Sequence, residues 1–494
     1  MANLKKFLAG AMALCMAGSM LASCGGTDGK DGGKKDGKKG SASGNAWADA
    51  STSAGDLKET KMERVAQNVE GNDESKKTLK IYTWNDEFKS RLRNYYPNYD
   101  KDKSGFSVDA DGNEVVGDHE YLKDGTEVVW VTTPSADNAY QTKLDTDLAA
   151  QADSADKIDM FLVEADYALK YVNGPYVMPV KELGLTDADL ADQYQYTKDV
   201  VTDSNGDLQG VSWQATPGLF AYRRDIAKEV LGTDDPAEVQ AQLSDWTKFD
   251  EVAKKMKDAG YFMLSGYDDA YRTFSNNVKN AWVDSNYKIV IDENLVKWVD
   301  QTKTYTENGY NNGTSLWSDQ WGKDQSKDGK VFGFFYSTWG INFTLQGYAG
   351  DDLNGQWAVC EGPQAYYWGG TWMCAADGTD NADTVADIMK SLTCNKDIML
   401  QITKDTQDYT NNQPGMEALA ADFSSEFLGG QNHIALFVTA APNIDASKAG
   451  PYDQGLNEAF QGAFKDYFAG TVDKDTALEN FYTAAIEKYP NLTR

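Results

Sequence analysis

Residues 128–164 read VVWVTTPSADNAYQTKLDTDLAAQADSADKIDMFLVE, and the change of period along them decides the fold. Val128 to Thr133 is a β-branched run with a tryptophan in it, the composition of a strand. Tyr140, Leu144 and Leu148 then recur every four residues, which sets them on one face of a helix. Ile158 to Glu164 is a second apolar run of strand length. A strand, an amphipathic helix and a strand make a crossover unit, and such units build largely parallel sheets. Upstream, Leu79 to Trp84 alternates as another strand. A second region of the same kind begins after residue 213. In it Ser244-Asp245 opens a helix with the apolar face Phe249, Val252, Ala253 and Met256, and Gly260 stops it. Val385, Ile388, Met389 and Leu392 mark a further helix, and Leu478, Phe481, Tyr482 and Ala485 another. The fold class is α/β.

The chain has 494 residues, 41% hydrophobic and 12% aromatic, enough for two or three domain-sized units and too rich in rings for disorder. Lys and Arg number 47 against 76 Asp and Glu, a formal charge of −29. That field repels phosphate backbones and argues against a nucleic-acid partner. The two histidines, His119 and His433, exclude a His-rich metal site.

The N-terminus points outside the cytoplasm. Lys5 and Lys6 precede an apolar run from Phe7 to about Leu21, too short to span a bilayer comfortably and suited to a signal segment over residues 1–23. Leu21-Ala22-Ser23-Cys24 follows and resembles a bacterial lipobox, which makes Cys24 the lipidated residue. Residues 25–40 are Gly, Lys and Asp with little else, and polar sequence continues to about Lys77. Residues 24–77 are therefore expected to be a flexible tether. Cys360, Cys374 and Cys394 remain in the body; a bridge between Cys360 and Cys374 and three buried thiols are both open. Asp100, Asp102 and Ser104, with Asp111 further on, partly match a calcium loop, but Val108 to Val115 reads better as a hairpin with an Asp-Gly turn.

The order of segments resembles one family. TLKIYTWNDEF (78–88) is followed by AYQTKLDTDLAAQADSADKIDMFLVEADYALKYV (139–172), then by GDLQGVSWQATPGLFAYRRDIAKEVL (206–231) and SDWTKFDEVAKKMKDAG (244–260). GKVFGFFYSTWG (329–340), GPQAYYWGGTWMCAA (362–376) and a helix at Thr384–Leu392 complete the series. This is similar to the sugar-binding lipoproteins of bacterial ABC importers, related to maltose-binding protein, over residues 78–494; the insert at 100–125 is long for the family. The resemblance implies a two-lobed periplasmic-binding-protein-like fold of type II with ligand between the lobes. The first lobe would hold 78–213 and 371–425, the second 214–370 and 426–494, with hinge crossings near 214–218 and 365–370 and a third after 425. It further implies a carbohydrate ligand, ABC permease subunits as partners, membrane attachment through lipid, a monomer, no cofactor and no catalysis.

A sugar presents apolar faces and a rim of hydroxyls, which suit flat aromatic rings flanked by amides and carboxylates. In α/β folds such groups gather beyond the carboxyl ends of strands. Trp84, Asn85 and Glu87 follow the first strand, Glu164 and Asp166 a later one, and Trp213 and Gln214 stand at the first crossing. Tyr336 and Trp339 flank the strand after Val331, Trp368 and Trp372 bracket the glycines of the second crossing, and Asp268 and Tyr271 come from the second lobe. These thirteen are the candidate ligand contacts. The competing readings are a surface-anchored glycoside hydrolase, which needs two carboxylates about 5–9.5 Å apart, and the same fold serving a peptide, polyamine or other non-sugar solute.

Overall fold

The computed structural model describes residues 53–66, 71–73, 75–110 and 112–494; the signal segment, Cys24 and Asp111 lie outside them. The first lobe is a six-stranded sheet in the order Glu120–Tyr121, Glu127–Thr132, Thr78–Thr83, Met160–Glu164, Thr371–Ala376 and Val177–Met178. Its three central strands are parallel, and the returning strand Thr371–Ala376 runs against them, with Thr371 opposite Glu164. Leu79, Ile81, Met160 and Leu162 enter one apolar cluster and Tyr82, Phe161 and Val163 the other. A strand buried on both faces needs a continuous apolar run, which is why Met160–Val163 does not alternate. The helix Ala139–Ala149 covers one face with Tyr140, Leu144 and Leu148.

The second lobe departs from the expected parallel arrangement. Gly218–Arg223 is flanked antiparallel by Gly333–Ser337 and Trp357–Cys360. A parallel pair, Leu264–Gly266 and Asn311–Thr314, joins them through a bridge between Phe262 and Val331. The strand Gly218–Arg223 leaves the crossing and Gly333–Ser337 returns to it, so Gly218 faces Ser337 at the sheet edge nearest the first lobe.

The lobes are joined by passages that pair with one another. Pro217 bridges Tyr367 and Gln214 bridges Thr410; the Gly218 amide donates to the Tyr366 carbonyl at 2.7 Å. A Cβ on Gly218 would sit 2.0 Å from the Tyr366 ring, so only glycine admits this approach. A third passage follows Asn412 and reaches the second lobe at Phe427, whose carbonyl accepts from the Gly355 amide. Cys360 and Cys374 belong to different sheets, and they and Cys394 are free thiols.

The tether expected to run to Lys77 is shorter than its composition suggests. Leu57 donates to the Val283 carbonyl and Asp56 pairs with Lys448, both on the second lobe. A few residues on, the Lys61 ammonium donates to the carbonyls of Val172 (2.7 Å) and Gly174 (2.9 Å), and Arg64 meets Glu182 and Asp377, all on the first lobe. A polar sequence can thus dock with little apolar contact, by lending its charges to the carbonyls that end the helix Ala168–Val172. Lys61→Ala is expected to lower the unfolding free energy by about 1–2 kcal/mol, the range for charge-assisted hydrogen bonds discounted for partial exposure; an unchanged urea midpoint would contradict the docking.

His433 opens the helix His433–Ala440 fully buried, with neither ring nitrogen hydrogen-bonded, edge-on to Phe423 and Phe437. Burial disfavours the imidazolium and lowers its pKa to about 4. The unfolded chain, with a pKa of about 6.5, takes up a proton that the folded chain refuses. The stabilisation is complete above the unfolded value and is lost as pH falls through the window to about 4. Relative to His433→Leu, the native protein is expected to lose roughly 3 kcal/mol between pH 7 and pH 4, read from urea unfolding at each pH; parallel curves would refute it.

Candidate functional site

A cavity of about 810 Å³ separates the lobes. The first lobe contributes Ala165, Asp166 and Leu169, which follow the carboxyl end of the strand Met160–Glu164. The second contributes Asp268, Tyr271 and Arg272 after the strand Leu264–Gly266, Trp317 after Asn311–Thr314, and a wall from 445 to 465. The cavity therefore lies where strand ends of both sheets converge.

One ion pair closes it. The two Nη atoms of Arg272 donate to the two carboxylate oxygens of Asp166, each at 2.7 Å, from one lobe to the other. Burial would raise the Asp166 carboxyl, but the Arg272 charge outweighs it and holds it below the usual carboxylate range. Glu164 stands behind, accepting the Asp166 amide at 2.8 Å. Burial and the neighbouring Asp166 charge raise the Glu164 carboxyl, against the pull of Arg272. The guanidinium also lies over the Trp368 ring, 5.5 Å from its centroid. Away from this pair, Gln141 donates to Gln454 at 3.2 Å across the same gap.

The aromatic groups form a wall beside that pair. Trp317 has φ +66°, a left-handed conformation that a bulky residue rarely adopts. It stacks on Trp339 at 6.3 Å and 19°, and lies 5.9 Å from Trp368. Trp339 is fixed by its indole N–H, which donates to the Trp368 carbonyl. Gly369 and Gly370, at φ +71° and +115°, let the chain turn beneath these rings. Deeper in, the Tyr271 hydroxyl and the Trp282 indole N–H both donate to the side-chain oxygen of Asn457, at 2.5 and 3.0 Å.

Of the thirteen candidate residues, Asp166, Asp268 and Tyr271 line the cavity, and Glu164, Trp339 and Trp368 stand directly behind its wall. Trp84 is half-buried, edge-on to Tyr140 and Tyr167, and Asn85 accepts the Glu87 amide at the start of the helix Glu87–Tyr95. Glu87 and Gln214 belong to a network beneath the crossing. Gln214 donates to Glu87 (2.7 Å) and Asp408 (2.8 Å) and accepts the Thr371 amide, while Thr338 reaches Asp408 from the second lobe. Burial raises the Glu87 carboxyl to about 7, with Arg91 opposing and Asp408 adding to the shift.

Trp213, Tyr336 and Trp372 correct the expectation. Trp213 is fully buried and stacked on Phe88; Tyr336 is fully buried with its hydroxyl on Gln325; Trp372 is 1% exposed with its indole N–H on the Thr197 carbonyl. Each adjoins a crossing, where the bundled passages must be sealed from water. Of the calcium candidates, Ser104 is buried and its hydroxyl accepts the Tyr121 amide, the Asp100 carboxylate accepts the Lys103 amide, and Asp111 lies outside the described residues. Among the described residues no three His, Cys, Asp or Glu side chains gather as a metal site. Arg272, Trp282, Trp317, Asp453 and Asn457 line the cavity as well, outside the thirteen candidates. A tryptophan in the polar turn Ser315–Ser318 was the one available signal.

No curated protein matches the sequence. Among solved structures, an extracellular solute-binding protein of family 1 superposes with a TM-score of 0.68 at 19% identity, covering 83% of this chain and 99% of its own. The binding protein of an ABC transporter from B. animalis subsp. lactis, in complex with β-1,6-galactobiose, gives 0.62 at 16%, covering 85% and 99%. The galacto-N-biose/lacto-N-biose I-binding protein from Bifidobacterium longum gives 0.60 at 13%, covering 85% and 98%. All three share the two-lobed fold. The sequence itself matches the family described as bacterial extracellular solute-binding protein across residues 119–426, so this chain belongs to that extracytoplasmic family.

Proposed function

We propose that the protein captures a carbohydrate between its lobes and delivers it to an ABC permease, while a lipid on Cys24 holds it at the outer face of the membrane. The carrying observation is the inter-lobe cavity, whose volume of about 810 Å³ lies within the range of small-ligand sites. Its wall alternates rings (Tyr271, Trp282, Trp317) with amides and acids (Asn276, Asn457, Asp268). Rings cover the apolar faces of a sugar; amides and carboxylates take its hydroxyls in pairs. Two of the superposed structures hold or are named for disaccharides, which supports the same ligand class here. The lipobox at Leu21–Cys24 supports the anchor.

Capture requires lobes that open and shut. Asp166 and Arg272 form the contact that distinguishes the two states, since separating the lobes leaves both charges unpaired. Asp166→Asn is expected to shift the ligand-free protein toward the open form, read as a larger radius of gyration in small-angle X-ray scattering. An unchanged scattering curve would remove this pair from the closure.

The ligand class is tested by calorimetry on the soluble body with a panel of oligosaccharides. Saturable heat with the glycan recovered intact supports capture; shortened products would favour a hydrolase. Trp317→Ala is expected to weaken the best binder by about 1–3 kcal/mol, as for loss of an aromatic anchor. Equal affinity in a folded variant would exclude Trp317 as a sugar platform.

A further inference from the structure

The cavity wall carries six carboxylates, on Asp166, Asp268, Asp319, Asp445, Asp453 and Glu458, against three cations, Arg272, Lys448 and Lys465. Two of those cations are already committed. The planar fork of Arg272 is the natural receptor for a ligand carboxylate, and both its Nη atoms are filled by Asp166 at 2.7 Å. Lys448 is turned to Asp56, a residue outside the wall, at 2.5 Å. The third, Lys465, acts on Asp268 and pulls its carboxyl down against the effect of burial.

Glu458 is paired with Lys488 from outside the wall at 2.8 Å and Asp166 with Arg272, so the acid excess falls on Asp268, Asp319, Asp445 and Asp453. One oxygen of Asp453 is enclosed with no hydrogen-bond partner. Asp268 uses an oxygen to accept the Leu316 amide at 3.0 Å. Burial raises Asp453 to about 7, with the Asp166 charge on the opposite lobe adding to the shift, and raises Asp268 to about 6. Closing the lobes thus brings Asp166, already paired with Arg272, up to the acids of the second lobe around the space a ligand would fill.

Resting on the saccharide reading, we propose that the cavity is a charge filter: it admits neutral or amine-bearing saccharides and turns away those carrying a carboxylate or sulfate, with Asp268 and Asp453 setting the exclusion. An anionic sugar entering this space finds no uncommitted guanidinium. To recruit Arg272 it must displace Asp166, which breaks the inter-lobe pair and leaves another carboxylate beside it. A neutral hydroxyl only needs an acceptor, and an ammonium group gains from each acid it meets. The exclusion is electrostatic, so it weakens with added salt.

The test uses the soluble body of the protein and a glycan array bearing neutral, amine-bearing, uronate-bearing and sulfated di- to tetrasaccharides. The neutral glycan bound best is then measured by calorimetry beside its C6-oxidised form, which differs by a carboxylate in place of a primary alcohol. The oxidised form is expected to bind more than about tenfold more weakly. In the Asp268→Asn/Asp453→Asn double variant, with its fold checked by circular dichroism, the ratio of the two affinities is expected to fall toward one. Equal affinities in the native protein would overturn the filter while leaving sugar capture intact. A ratio that the double variant does not change would overturn the assignment to these two residues. Silence across the whole array would sink the saccharide reading itself, and the filter with it.

Discussion

Everything in this molecule follows from the need to pass one chain between two lobes more than once through a narrow, dry bundle. Passages that lie side by side must satisfy each other's backbone groups, and they do so through the Pro217–Tyr367 and Gln214–Thr410 bridges. The bundle must also exclude water, which assigns its largest side chains to sealing. Trp213, Tyr336 and Trp372 are spent there. Gln214 holds together the carboxylates of Glu87 and Asp408 and the amide of Thr371.

With the joint fixed, the strand ends that project from it are left to face one another across a gap. The first lobe offers few groups there, and the second supplies most of the wall. Asp166 and Arg272 meet in the middle. The pair is partly shielded from solvent and bidentate, a geometry that favours one lobe orientation over its neighbours. The acidic character of the gap is a local matter, distinct from the −29 charge of the whole chain.

The sequence disclosed the architecture better than the site. The first-lobe strands and the helix bearing Tyr140, Leu144 and Leu148 are legible because a strand or helix face is a local pattern. The second lobe's antiparallel strands were not, since strand direction depends on how the chain returns from the other lobe. Trp339 and Trp213 look alike in sequence, both beside a crossing, and differ in burial only because one sits above the bundle and the other inside it. Trp317 escaped because its orientation depends on a backbone torsion, and Asn457 and Asp453 because a long helix brings them back from the far end of the chain. Lys61 and Asp56 were hidden in a composition that resembles a linker.

That last segment has a mechanical meaning. Residues 54–57 are fastened to one jaw and 61–66 to the other, so the three residues between them act as a short leash. Four extended steps reach at most about 14 Å. A gape wider than this slack along that rim must first peel one foothold away. Tension arriving from the N-terminal direction meets the jaw bearing Val283 and Lys448 before it is felt by the other.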